Sequence, residues 1–208
     1  MLLHWLGHSS FLIEGKKRVV LDPFDGIGIP FPNVSADIVT LSHGHGDHAA
    51  SHLVGDRPVV LAKEGRFEEG GAVIIAYPSF HDDASGAKRG ENLIFSIEME
   101  GFRIVHLGDL GAEPKEDVMG AIAEADLLLL PVGGNYTICG PQAAELLKKL
   151  RPKAAIPMHY KIEGSQVAIA SPEAFLSAVG RYERLAGGTL PLEKGLSGVK
   201  LFGAPAQA

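Results

Sequence analysis

Apolar residues in the first half of the chain come in short runs that break at glycine, proline or charge. Residues 2–6, 10–14 and 18–21 are separated only by Gly7 and by Gly15-Lys16-Lys17, the pattern of a strand meander. Residues 23–32 are rich in Gly and Pro and are expected to be loop. Residues 38–41, 59–62 and 72–77 each read as an apolar strand followed by a loop, and 92–98 with 102–107 flank Glu100-Gly101 as a hairpin. The second half changes rhythm. Residues 114–124 suit a helix with Pro near its first turn. Residues 126–131 (DLLLLP) form a continuous apolar run, as in a strand covered on both faces. Residues 141–150 repeat Ala144, Leu147 and Leu150 at helical spacing, and 154–157 make another buried-type strand. Ser171-Pro172-Glu173 reads as a helix start with Ser as N-cap, running to about Tyr182, and 199–202 reads as a closing strand. Strand-rich stretches with inserted helices predict one layered α/β domain over 1–208.

Composition narrows the function. The 208 residues are 46% hydrophobic and 21% charged, which excludes disorder and coiled coil. With 19 Lys+Arg against 25 Asp+Glu, the formal charge of −6 gives no broad basic face for nucleic acid. The expected partner is a small molecule, an anionic one included. Neither nucleic acid nor a membrane is expected, and an oligomer is compatible. The N-terminal run has no basic leader and is interrupted by His4 and His8, so it reads as a strand pair rather than a signal peptide. No window reaches the ~20 apolar residues of a bilayer span, and a cytoplasmic location is expected. The lone cysteine, Cys139, excludes a disulfide framework and a cysteine-only metal site.

Histidine carries the chemistry. Three of the nine His fall in Ser42-His43-Gly44-His45-Gly46-Asp47-His48, at the end of an apolar strand. Four metal-competent side chains thus lie within six residues. Imidazole and carboxylate are what a borderline cation such as Zn²⁺ accepts. The two glycines are expected to supply backbone angles that let His43 and His45 point one way and Asp47 and His48 another. Other strand ends offer His81, Asp109 and His159.

The order HGHGDH (43–48), His81, Gly108-Asp109 and His159 resembles the metallo-β-lactamase superfamily. WLGHSSFLIE (5–14), LDPF (21–24), PVGGNYT (131–137) and IPMHY (156–160) are similar to segments of its compact metal-dependent hydrolases. The resemblance implies a four-layer αββα sandwich with two divalent metal ions at one edge. Zinc is the expected metal, with manganese, iron and nickel as competitors. His43, His45 and His81 would bind one ion and Asp47, His48 and His159 the other. Asp109 would bridge both, with a hydroxide between them. Asp47 would be the catalytic residue that orients the hydroxide or takes its proton. The implied reaction is cleavage of a small ester, lactone or phosphodiester. A mononuclear iron oxidoreductase or dioxygenase of the same fold, and a small nuclease, are the alternatives.

His8, Asp22 and His106 are expected to support the ligands rather than bind metal themselves. For His8 the alternative is a hydrogen-bonded histidine at a strand turn, and for Asp22 a turn-initiating residue. His52 is expected at the surface. Asp82 and Asp83 read as a solvated loop rather than a third ion site, and Lys88 and Arg89 as exposed loop cations, with contact to an anionic substrate as the weaker alternative.

Overall fold

Alternation decides which way each strand faces. The computed structural model describes residues 1–206, so positions 207 and 208 of the expected domain lie outside it. In chain order the strands are β1 (Leu2–Gly7), β2 (Ser10–Glu14), β3 (Arg18–Leu21), β4 (Ile38–Thr40), β5 (Val59–Leu61), β6 (Gly65–Glu69), β7 (Ala72–Phe80), β8 (Glu91–Met99) and β9 (Phe102–His106). Then follow α1 (Glu116–Ile122), β10 (Leu127–Pro131), α2 (Gly140–Leu150), β11 (Ala154–Met158), α3 (Glu173–Val179), β12 (Glu183–Leu185), β13 (Thr189–Pro191) and β14 (Gly198–Phe202). Six strands form one sheet in the order β13-β1-β2-β3-β4-β5. Eight form a second, β12-β14-β11-β10-β9-β8-β7-β6.

On the first sheet, Leu3, Trp5, Phe11, Ile13, Val19, Leu21 and Ile38 point into the main core. They pack with Ile74, Phe95, Ile97 and Ile104 of the second sheet. Their neighbours Leu6, Leu12, Val20 and Val39 face outward, into a smaller cluster with Val34, Ala36 and Val54. On the second sheet, β10 is buried along its whole length. Helix α2 packs against it, and α1 and α3 pack on α2. The helical layer therefore covers one sheet. Over the other, the outer layer is the loop that follows β3 and a single 3₁₀ turn, Ser51–Leu53. The Gly/Pro-rich composition of 23–32 is the physical reason that no α-helix forms there.

Several boundaries differ from the sequence expectation. β6, β12 and β13 are short, charged or exposed strands that hydrophobic patterning did not mark. β6 and β12 are sheet edges, where polar residues are tolerated. The N-cap position of helix α3 is Pro172 rather than Ser171, and no side chain caps it. It ends at Val179, where Gly180 adopts φ 74°, short of Tyr182.

The topology sets up the site. β3, β4 and β5 run parallel, as do β9, β10 and β11. β7 runs in the same direction as β9 because both are antiparallel to β8. The C-terminal ends of these strands thus open on one edge, the usual place for a site in such sheets.

Candidate metal centre

Each chemistry-bearing side chain follows the C-terminal end of a strand: His8 after β1, Asp22 after β3, His43 to His48 after β4, His81 after β7, Asp109 after β9 and His159 after β11. The structure brings all of them together. Asp109 is the hub. Its Oδ1 lies 3.2 Å from His48 Nε2. Its Oδ2 lies 3.3 Å from His81 Nε2, 3.2 Å from His159 Nε2 and 4.0 Å from His43 Nε2. His43, His45 and His81 place donor atoms within 4.8 Å of one another, and so do His8, Asp47, His48 and His159.

The glycines of the loop do not act as expected. Neither Gly44 nor Gly46 is among the residues with positive φ, and a Cβ on either would meet open space. The unusual backbone lies instead at His8 (φ 51°), Asp22 (42°) and His159 (51°). These are non-glycine residues held in the left-handed region, a conformation that clusters at functional sites. Gly108 is the glycine that geometry requires. Its φ is 55°, and a Cβ there would sit 2.4 Å from Asn92 Oδ1 and 2.5 Å from Ser42 Cβ.

Hydrogen bonds select the tautomers. His48 Nδ1–H donates to Asp22 Oδ2 at 2.9 Å. His43 Nδ1–H donates to Ser42 Oγ at 3.0 Å, and that hydroxyl donates to Asp22. His81 Nδ1–H donates to the Tyr136 carbonyl at 3.1 Å. In each ring Nε2 is turned toward Asp109. His106 is different: Nε2–H donates to the Ser9 carbonyl at 2.8 Å, and Nδ1 accepts the Gly108 N–H at 3.2 Å. Both its nitrogens are used, so it braces the turn before Asp109 and offers no lone pair to a metal. Asn92, buried in β8, donates from Nδ2 to Ser79 Oγ and the Leu107 carbonyl, and its Oδ1 accepts the Asp109 N–H at 2.9 Å. Sequence patterning missed Asn92, Ser42 and Tyr136 as parts of the site. A polar amide inside an apolar strand was the one available signal.

Electrostatics follow from burial. Burial and the neighbouring His48 push His43 down to about 3. Burial and the neighbouring His159 push His8 down to about 4. Burial also lowers His81. Burial would depress His48 too, but the carboxylates of Asp109 and Asp22 outweigh it and hold the ring well above the ordinary imidazole value. Asp109 is held well below the carboxylate range despite burial, by His159 and His48. His43, His8 and His81 therefore stand neutral around pH 7, the state in which imidazole binds a metal.

Divalent cations fit this donor set. His43 Nε2, His48 Nε2, His159 Nε2 and Asp109 Oδ1 are all buried with no hydrogen-bond partner. Buried polar atoms are normally satisfied, so a cluster of orphans around one carboxylate marks a place for cations. The other sequence candidates fall outside. His52 is exposed on the 3₁₀ turn. Asp82 spends its carboxylate on the backbone N–H groups of Ala84, Gly86, Lys88 and Arg89. Asp83 pairs with Lys88 at 2.6 Å in solvent. No helix among the described residues is long and apolar enough to cross a membrane.

Comparisons with known proteins identify the family. The profile of the beta-lactamase superfamily domain matches residues 2–159. A UPF0173 metal-dependent hydrolase of Pelotomaculum thermopropionicum is 34% identical over 193 residues, covering 77% of this chain and 84% of its own. One of Thermoplasma volcanium is 34% identical over 208 residues, covering 86% and 92%. Among solved structures, a candidate zinc-dependent hydrolase of the metallo-β-lactamase superfamily from Thermotoga maritima is 36% identical with a TM-score of 0.80, covering 97% of this chain and 98% of that one. A strand-end cluster of this composition, on this pair of sheets and with these relatives, places the chain in the metallo-β-lactamase superfamily, among its UPF0173 metal-dependent hydrolases.

Proposed function

We propose that the site holds two divalent cations, zinc by preference, and hydrolyses a small ester, lactone or phosphodiester. One observation carries the reading: the free Nε2 atoms of His43, His48 and His159 surround an Asp109 carboxylate that itself retains an unpartnered oxygen. His43, His45 and His81 would hold the first cation, Asp47, His48 and His159 the second, and Asp109 both. Imidazole and carboxylate suit zinc, with manganese, iron and nickel as competitors. Paired cations would supply an activated water and stabilise charge on the substrate oxygen.

The chain's own residues do the rest. Asp47 lies nearest solvent of the acids, its side chain 28% exposed against 2% for Asp109. It is the group placed to orient a water and take its proton on a carboxylate oxygen. A cavity of about 640 Å³ opens beside the first position, lined by His43, His45, Lys63, Arg89 and Asn92. Arg89 stacks its guanidinium 4.8 Å over the Tyr136 ring, and among the described residues no carboxylate lies within ion-pair reach of it. Glu64, Glu91 and Lys63 also line the cavity but are exposed. Arg89 is therefore the ordered cation that an anionic substrate would meet.

The test is metal analysis of protein purified without chelator, joined to a screen of carboxylic esters, lactones and phosphodiesters. Two equivalents of metal and metal-dependent turnover are expected. Less than one metal per chain would remove the two-cation form of the reading.

A further inference from the structure

His8 lies outside the ligand pattern of the 43–48 loop, yet its environment matches that of the ligands. The residue is 1% exposed and held at φ 51°. Its carbonyl accepts Trp5 Nε1–H at 3.1 Å and the His159 N–H at 3.3 Å, which pins the backbone. The ring sits 4.4 Å from that of His159 and 5.0 Å from that of His48, centroid to centroid. Nε2 is buried without a hydrogen-bond partner, in the same condition as Nε2 of His43, His48 and His159. It lies 3.4 Å from Asp47 Oδ2. Neighbouring ligands of one cation at about 2.0–2.1 Å stand roughly 3–3.4 Å apart.

We infer that His8 is itself a ligand of the second cation, joining Asp47, His48, His159 and the shared Asp109. This rests on the two-cation reading above. A non-glycine residue held left-handed, pinned by two donors to its carbonyl and aiming an unpartnered nitrogen at three candidate ligands, is placed for coordination. The competing role is a hydrogen bond from Nε2–H to Asp47 Oδ2. At 3.4 Å that contact is long for a charge-assisted hydrogen bond, and it would leave Nε2 with no lone pair for a cation.

Coordination by His8 makes the two positions unequal. The second is closed by residues that are buried except for Asp47. The first includes the exposed His45 and borders the cavity. Substrate therefore meets the first cation.

The deciding measurement is scalar coupling, which passes only through a bond. Protein labelled with ¹⁵N-histidine is loaded with ¹¹³Cd²⁺ alone. The cadmium held by His48 and His159 is expected to couple to three imidazole nitrogens. That number falls to two in His8→Gln and stays at three in His52→Gln. Two couplings in the unsubstituted protein would overturn the inference even if His8→Gln failed to fold. A single cadmium coupled to His8, His48 and His159 would keep the inference while defeating the two-cation reading, and a single cadmium coupled to His43, His45 and His81 alone would overturn both.

Discussion

Asp22 and His48 share a 2.9 Å hydrogen bond between side chains that are both fully shielded from solvent. Asp22 also accepts the Ser42 N–H at 2.8 Å and the Ser42 hydroxyl, through which it reaches His43. One carboxylate thus holds the Nδ1–H side of two rings and turns both Nε2 atoms toward Asp109. Asp22→Asn keeps one acceptor oxygen where Asp22 has two, so its NH2 must face either the His48 Nδ1–H or the Ser42 N–H, and one arm that orients the ligands is lost. Metal affinity is expected to fall about 10- to 100-fold, the usual effect of removing a group that orients a ligand. Chelator competition would measure it, and an unchanged affinity would show that Asp22 only holds the turn.

Gly108→Ala attacks the site through its backbone. The new Cβ would collide with Asn92 and Ser42, and the left-handed φ strains any side chain there. Asn92 holds the Asp109 N–H, so the collision displaces the hub carboxylate. A loss of about 2–4 kcal/mol of stability is expected, the range for overpacking combined with strain. Metal binding should fall with it. Gly44→Ala, which meets nothing, serves as the control and should leave the melting temperature within a degree or two. If both variants melt alike, the close approach at Gly108 is not what holds Asp109.

These two glycines show where sequence reading reached its limit. Short apolar runs broken by Gly7 and Gly15-Lys16-Lys17 marked the strands, while the split of Leu3, Trp5, Phe11 and Ile13 from Leu6 and Leu12 between two clusters emerged only from the fold. HGHGDH marked the site because ligand chemistry is local. Gly44 and Gly46 attracted attention by standing beside the histidines, while the glycine that geometry requires is Gly108. Its need arises from Asn92 and Ser42, 16 and 66 positions away in the chain. Tyr136 was illegible for a related reason. Its contribution to His81 is a backbone carbonyl, which any residue type could supply. The charged edge strand β6 was missed because an edge needs no apolar face.

Arg89 and Tyr136 give a prediction about substrate. The Arg89 backbone is fixed by the Asp82 carboxylate at 2.7 Å and its guanidinium by the Tyr136 ring. Once a hydrolysed ester is found, Arg89→Gln should raise KM about 10-fold or more for a carboxylate- or phosphate-bearing substrate. A neutral analogue should change little, because a charge-assisted pair contributes roughly 1.5–3 kcal/mol. Tyr136→Leu should give a smaller effect of the same sign. Equal KM changes for charged and neutral substrates would show that Arg89 acts only on the shape of the loop.

In the metal-free protein, stability should peak near pH 6.5. His8 and His43 are buried as neutral rings, lowered by burial and neighbouring imidazoles to about 4 and about 3. Below their unfolded value of 6.5 the unfolded chain binds protons that the folded one refuses, so stability falls as pH drops toward 4 and 3. The His8 contribution alone is 6.5 less about 4 pH units, or about 3 kcal/mol at roughly 1.4 kcal/mol per unit. His48 has the opposite sign. Its folded value is raised by Asp109 and Asp22, so its contribution is complete below 6.5 and is lost as pH rises through the folded value. The lowered Asp109 contributes above 3.8 and is lost only under stronger acid. Calorimetry with a chelator between pH 4 and 9 should therefore show a melting temperature that falls on both sides of neutrality. The acid limb should flatten in His8→Gln and the alkaline limb in Asp22→Asn. A melting temperature that climbs steadily to pH 9 would mean that His48 carries no proton in the empty site.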